Sequence, residues 1–354
     1  MKLFVSILRE LTEAFLFAVV GLFVIALPVI AVAAVAKLQG VNTLGVLRFL
    51  PLLIAGLIPY VLPLSFLLAV VSTYGRLAAD NEWTAIRMAG WNPLRMVLPG
   101  LVLGLGLALG TDWMLEEFMP PIRRAQEGYR FQAIREQFKE LKPGETELQL
   151  EKFFLSSAWR EGDDFLNAVL FVPEHGKERA RWILAERVRF QFTEKEVFLF
   201  LQKARILVGP SDVRNENPVF RIDLGQLQPE KEGSFGATRH KTSAELAQLV
   251  LDPKTPAPKK SAYVYEIHNR RALSSTYLMF LLLGVPTGIL LRKGTQLGAL
   301  SAAVGYALAF YLLSMRLSKE LSTSHVLPPA VGAWCVVGVG ALVGAYLMRR
   351  AVRR

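Results

Sequence analysis

A chain of 354 residues, 52% of them hydrophobic, with a mean hydropathy of +0.34, carries several apolar runs of about 20 residues, the length that crosses a bilayer. That pattern excludes an ordinary soluble domain. The net charge of +11 sits largely on the flanks of these runs, where inner loops and anionic headgroups attract cations, so it does not call for nucleic acid. The lone Cys335 rules out an intrachain disulfide and a cysteine-based metal site, and His175, His240, His268 and His325 share no ligand spacing. No cofactor is implied.

Residues 2–13, KLFVSILRELTE, predict an amphipathic helix with Lys2 and Arg9 at the cytosolic surface. The first apolar run, 14–36, lacks a clear cleavage site and is expected to remain as a membrane anchor. The second, 44–71, is interrupted by Arg48, Pro51, Pro59 and Pro63, which predict a bent span. Between it and the third run lies YGRLAADNEWTAIRMAGWNPLRMVLP, residues 74–99. This stretch predicts a short helix over 79–90, capped by Asp80 or Asn81 and stopped by Gly90 before Asn92-Pro93. Too short and too charged to span, it suits transmission of force to a partner outside the membrane; the alternative is an ordinary loop. The third span, 95–115, spaces Gly100 and Gly104, and Gly106 and Gly110, for close helix contact. The general abundance of glycine in membrane helices is the competing reading. Asp112, Glu116 and Glu117 mark either a water boundary or an intramembrane acidic site.

From Arg123 the composition turns polar. The segments 146–157, 165–173, 181–192, 196–209 and 219–227 are rich in β-branched and aromatic residues and are separated by turn signals. Val188, Phe190 and Phe192 alternate with Arg187, Arg189 and Gln191. Together these segments predict one antiparallel β domain of sandwich or jelly-roll type. The stretch from Thr242 to Leu246 is a capped helix start, and a proline- and lysine-rich linker, 253–260, returns the chain to the membrane. Glu266, His268, Arg270 and Arg271 open a fourth span, 273–291; the fifth and sixth follow at 297–313 and 326–348. The fold class is thus an α-helical membrane protein with a β insert. Six transmembrane helices (three plus three) occupy 1–122 and 261–354, and the β domain occupies 123–260 between helices three and four. With the N-terminus inside, eleven cations (Lys2, Arg9, Arg76, Arg87, Arg95, Arg292, Lys293 and four terminal arginines) lie in short inner segments. Four lie outside: Lys37, Arg48, Arg316 and Lys319. The bias places both termini and the 79–90 helix in the cytosol and the β domain in the periplasm.

Three stretches, GRLAADNEWTAIRMAG, TSAELAQLV and EIHNRRALSSTYLMFLLLGVPTGILLRK, stand in that order around the β insert. In them the chain resembles the permeases of the bacterial lipopolysaccharide-export ABC transporter (the YjgP/YjgQ type). The resemblance implies a bacterial inner-membrane protein with a jelly-roll periplasmic domain, working beside a second homologous permease chain in a hetero- or homodimer. Its implied partners are a homodimeric ABC ATPase, a periplasmic bridge protein and lipopolysaccharide, with no nucleic acid. Asp80, Glu82, Trp83, Ile86 and Arg87 would couple to the ATPase, the acids facing basic groups and Trp83 acting as packing anchor. Lys37, Arg316 and Lys319 are candidates for lipid phosphates, against simple snorkelling to the headgroups. Phe171, Ile183, Val188, Phe190, Phe198 and Phe200 are candidates for acyl chains, against a closed structural core. The resemblance implies a transport subunit, and without the pattern G-x-x-x-x-G-K-[ST] the chain is not the ATPase itself. A sensor or scaffold with a ligand-binding β domain would need a cytosolic output domain, and a lipid enzyme clustered catalytic side chains; the sequence offers neither.

Overall fold

The computed structural model describes residues 2–38, 43–140, 147–150, 153–162, 164–172, 181–192, 196–208, 211–215, 218–223, 237–291, 296–318, 320, 322 and 327–353. It is mostly helical, with one antiparallel sheet in the middle of the chain. The helices are α1 (Lys2–Lys37), α2 (Thr43–Ala79), α3 (Glu82–Met88), α4 (Pro93–Trp113), α5 (Met119–Glu140), α6 (Ser243–Leu251), α7 (Ala257–Leu290), α8 (Gln296–Leu312) and α9 (Pro329–Arg353). Among the described residues, five helical segments are long and apolar enough to cross a membrane, and α8 is a shorter apolar helix. A π-helical segment, Leu313–Ser318, prolongs α8, and another, Met114–Phe118, joins α4 to α5 without a break.

Several boundaries differ from the sequence expectation for local reasons. No breaker separates residues 2–13 from the apolar run, so α1 is one helix of 36 residues. The second run continues past Val71 to Ala79, and the first six residues of the charged stretch belong to α2. The helix after the third span does not stop at Arg123 but runs to Glu140. Pro256 and Pro258 sit where a helix tolerates proline, and α7 begins at Ala257, inside the expected linker.

One compact unit comprises Met1–Val29, Ile54–Arg123 and Phe235–Arg354. Its centre is α7: in the most apolar window 72% of α7 is buried, against 11% for α1, which therefore lies at the periphery. The α2–α7 crossing is backbone to backbone, since a Cβ on Gly288 would lie 2.7 Å from the Gly75 nitrogen. Gly100 and Gly104 admit Leu281, Tyr74 and Phe66, whereas Gly106 and Gly110 face open space. Only the first of the two glycine pairs is a packing device. Tyr277, fully buried, bonds Thr111 at 2.7 Å and packs edge-on against Phe66.

The second unit comprises Ile30–Leu53 and Arg124–Ser234. Within it Tyr129 stacks on Phe49 with centroids 5.4 Å apart and donates to the Gly45 carbonyl at 2.8 Å, while Gln126 donates to that of Leu52 at 2.6 Å. The strands are β1 (Glu147–Leu150), β2 (Phe153–Glu161), β3 (Asp164–Val172), β4 (Arg181–Phe192), β5 (Glu196–Gln202), β6 (Ala204–Val208), β7 (Ser211–Asn215) and β8 (Val219–Asp223). Both β5 and β6 pair with β4 in a single register, Arg187 opposite Gln202 and Trp182 opposite Leu207, interrupted at Lys203 and Ala204. In the same way β7 and β8 continue one register against β6 and β5. The described pairing is therefore a meander in which neighbours along the chain pair as neighbours in space. The long strand expected over 196–209 is split because Lys203 takes a left-handed φ of 48°.

A crease crosses this meander. Asn167 has a φ of 49°, and Lys203 reaches Glu186 on the intervening strand at 2.9 Å. Burial changes phase there: Phe165 and Ala168 are both buried, three residues apart, and so are Leu201 and Ala204. Strict alternation would put the members of each pair on opposite faces. The left-handed residues shift the phase and keep one apolar face continuous on both sides of the crease.

Candidate functional site

The loop between α2 and α4 is built by backbone reversals. Asn81 precedes α3 with a φ of 59°, which asparagine tolerates, but its side chain makes no capping bond. The expected cap by Asp80 or Asn81 is thus absent, and the helix is seven residues, Glu82–Met88, shorter than 79–90. Gly90, at φ 82°, ends it as expected, and Asn92 caps the next helix by accepting from the Leu94 amide at 2.9 Å.

The two faces of α3 divide the expected coupling residues. Trp83 is 1% exposed and packs edge-on against Tyr74 with centroids 6.4 Å apart. It anchors α3 to its own chain rather than offering an indole to a partner. The reason is area: an indole at the rim of an apolar bundle gains most by covering that bundle. Ile86 packs against the same core, and Arg87 donates from Nη2 to the Val352 carbonyl at 3.2 Å. The outward face carries Glu82, Ala85, Met88 and Ala89, followed by Trp91; Met88 is 84% exposed and Trp91 46%. Sequence reasoning singled out neither as a site: Met88 stands at helical spacing from Glu82 and Ala85, but its exposure is decided by how α3 packs.

Asp80 and Glu82 are exposed but not unpaired. Arg76, on the last turn of α2, donates from Nη1 to Asp80 Oδ2 at 3.0 Å and to Glu82 Oε1 at 3.4 Å. Its Nε and Nη2 hold both oxygens of Glu10 on α1, at 2.5 and 2.6 Å, in the bidentate geometry only arginine offers.

A second polar cluster gathers residues from two of the three motifs. Arg270 is 4% exposed, so its charge needs partners. It donates to the Lys241 carbonyl at 2.7 Å and the Thr238 carbonyl at 3.5 Å, to Ser243 Oγ at 3.4 Å, and to Glu266 at 3.4 Å on its own helix. Glu116 in the first π segment lies 3.7 Å from Arg270 and accepts from the Ser243 amide and hydroxyl at 3.1 and 2.5 Å. Thr242 and Glu245 close the capping box that the sequence predicts for α6. Asp112 accepts from Ser274 at 2.9 Å. Of the three acids read as a water boundary or an intramembrane acidic site, Asp112 and Glu116 hold helical segments together.

Among the lipid candidates, Arg316 is exposed on the second π segment. Lys37 is the last residue of α1, but its side chain, and Lys319 altogether, lie outside what the structure describes. The aromatic candidates of the sheet do not share a face. Ile183 and Val188 are fully buried, with Phe190 packed edge-on against Phe165 at 5.3 Å. Phe198 and Phe200 stand opposite Gln191 and Arg189, and Phe171 opposite exposed Trp182, on the other face. The pairing register separates them: Phe190 stands opposite Leu199 and Ile183 opposite Leu170, which alternation within a single strand cannot show. On that other face Asp164 accepts from Arg189 at 2.6 and 2.9 Å and from Arg187 at 3.3 Å. The Arg189 hydrogen bonds, with the charges of both arginines, hold the Asp164 carboxyl below its ordinary value despite its burial. These three residues, with Gln191, Phe200 and Gln202, line a shallow cavity of about 350 Å³.

Long apolar helices, an antiparallel insert between them, and a short charged helix held at one end of the helical unit define a polytopic membrane protein of the permease kind. The family model for the lipopolysaccharide export system permease LptF/LptG matches residues 6–350, nearly the whole chain, and the chain belongs to that family. It is accordingly a multi-pass inner-membrane protein and a transport subunit, a lipopolysaccharide-transport permease. No curated protein matches it.

Proposed function

We propose that the chain is one permease subunit of an ABC transporter that extracts lipopolysaccharide from the inner membrane and passes it to a periplasmic bridge protein toward the outer membrane. In this reading it works beside a second homologous permease chain, and a separate homodimeric ATPase hydrolyses the ATP. The single observation that carries the reading is the outward face of α3, where Met88 and Trp91 lie exposed beside Glu82 on a member of this family. Apolar anchors ringed by charge are the usual make-up of a protein interface. The docking set is therefore Asp80, Glu82, Ala85, Met88 and Trp91, while Trp83, Ile86 and Arg87 set the pose of the helix. Six spans are supported by the continuity of α8 with its π segment, and the charge bias supports cytosolic termini and a periplasmic sheet. The sheet, creased and continuous on one face, serves as the jelly-roll-like conduit, with Lys37, Arg316 and Lys319 receiving lipid phosphates.

Affinity co-purification tests the reading. The wild-type chain should recover an ABC ATPase, and Met88→Glu should lose most of it while the chain stays in the membrane. A photoreactive residue at position 316 should crosslink lipopolysaccharide. Full ATPase recovery with Met88→Glu, or a wild-type chain that recovers none, would reject this docking assignment.

A further inference from the structure

Arg76 meets acid from three directions, two of them helices and the third the turn between α2 and α3. Glu10 belongs to α1, Asp80 follows α2, and Glu82 opens α3. The bonds are unequal: both Glu10 oxygens lie within 2.6 Å, while Asp80 and Glu82 stand at 3.0 and 3.4 Å on the remaining nitrogen. Between Phe15 and Val29, α1 presents Leu16, Phe17, Val20, Val24, Ile25 and Val29 outward. Within this unit its buried residues are Ile7, Leu11 and Phe15, beside Glu10. The foot of α1 is thus its described anchorage there, and the Glu10 ion pair is the charged part of that anchorage.

We propose that Arg76 is a shared counter-ion that lets the α2–α4 loop act on α1. A basic partner arriving at Asp80 and Glu82 competes with Arg76 for them. The guanidinium keeps its fork on Glu10, so its position, and with it the foot of α1, follows the occupancy of the loop. Arg76 is a positioning residue in this scheme: it need touch neither lipid nor nucleotide. The proposal rests on the docking role given above to Asp80 and Glu82, and goes beyond it by naming the link from that surface to α1.

The scheme makes opposite demands on two single variants. Arg76→Gln releases Asp80 and Glu82, so a basic partner should bind about two- to fivefold more tightly at low salt, the range an exposed ion pair commands. Glu10→Gln leaves Arg76 wholly to the loop and should weaken binding by a similar factor. Both should lower lipid transported per ATP hydrolysed, because each cuts the link to α1. A role confined to fold stability would move binding in the same direction for both. A partner-free arm uses thermal unfolding of the purified chain. Glu10→Gln and Glu82→Gln should be non-additive with Arg76 present and additive in an Arg76→Gln background. Additivity with Arg76 present, or partner affinity falling in both variants, overturns the proposal. A wild-type chain that captures no ATPase counts against the transporter reading, while the unfolding arm still decides the bridge.

Discussion

Buried Trp83 and exposed Met88 lie five positions apart on the same loop, yet they answer to different physics. Trp83→Ala opens a cavity against Tyr74 and should cost about 3–5 kcal/mol of stability, whereas Met88→Ala should stay within about 0.5 kcal/mol. Thermal unfolding in detergent compares them, and equal shifts would contradict the assignment of faces. Asp164 makes a second prediction at this scale. Its folded carboxyl titrates below the ordinary value of 3.8, so the clamp on Arg187 and Arg189 contributes fully above that value. The contribution is lost as pH falls through the ordinary value toward the folded one. Protease resistance of the β insert should therefore drop at acid pH in wild type, with a smaller drop in Asp164→Asn; identical profiles would dismiss the clamp. Because both arginines are substantially exposed, added salt should shrink the difference.

Helices and strands here are decided by where the chain can approach itself. A methyl on Gly288 meets the Gly75 nitrogen at 2.7 Å and the Val71 carbonyl at 2.9 Å, atoms that cannot rotate away. Gly288→Ala should cost about 1–3 kcal/mol as overpacking. Gly110→Ala meets nothing within 4 Å and should be neutral or stabilising by about 0.5–1 kcal/mol through helix propensity. Unfolding of the two variants side by side checks the α2–α7 crossing; a benign Gly288→Ala would mean the helices do not cross there. Arg270 works on the same scale. It fastens the stretch from Thr238 to Ser243 to α7 and to the first π segment. A π turn offers one extra residue per turn, and here it carries Glu116, which the Ser243 hydroxyl and amide grip.

For the whole molecule the governing quantity is charge across the membrane. In the proposed orientation a reporter fused after Arg354 should read cytosolic and one inserted near Gly233 periplasmic, since eleven lysines and arginines would then lie in short inner segments against four outside. The reverse reading at either position would overturn the orientation. The burial contrast between α7 and α1 belongs to this scale too. A helix 72% buried in its most apolar window is interior to the fold, and one 11% buried there leaves its apolar side chains to lipid or to a partner.

What could be read in the residues alone was whatever depends on local composition and spacing. Apolar length set the spans, turn residues set most strand limits, Gly90 and Asn92-Pro93 set the end of α3, and Thr242 with Glu245 set the start of α6. These signals act within a few residues, so no partner is needed to interpret them. What depended on distant residues was decided only in three dimensions. Trp83 could have faced outward or inward until α2 was placed against it. The phenylalanines of the insert could have shared a face until β4 and β5 paired with Phe190 opposite Leu199, which turns Phe198 and Phe200 to the other face. Asp80 and Glu82 read as unclaimed acids because Glu10 and Arg76 stand 66 positions apart in sequence and meet only in the fold. Burial and ion pairing are properties of neighbours in space, and a sequence shows only neighbours along the chain.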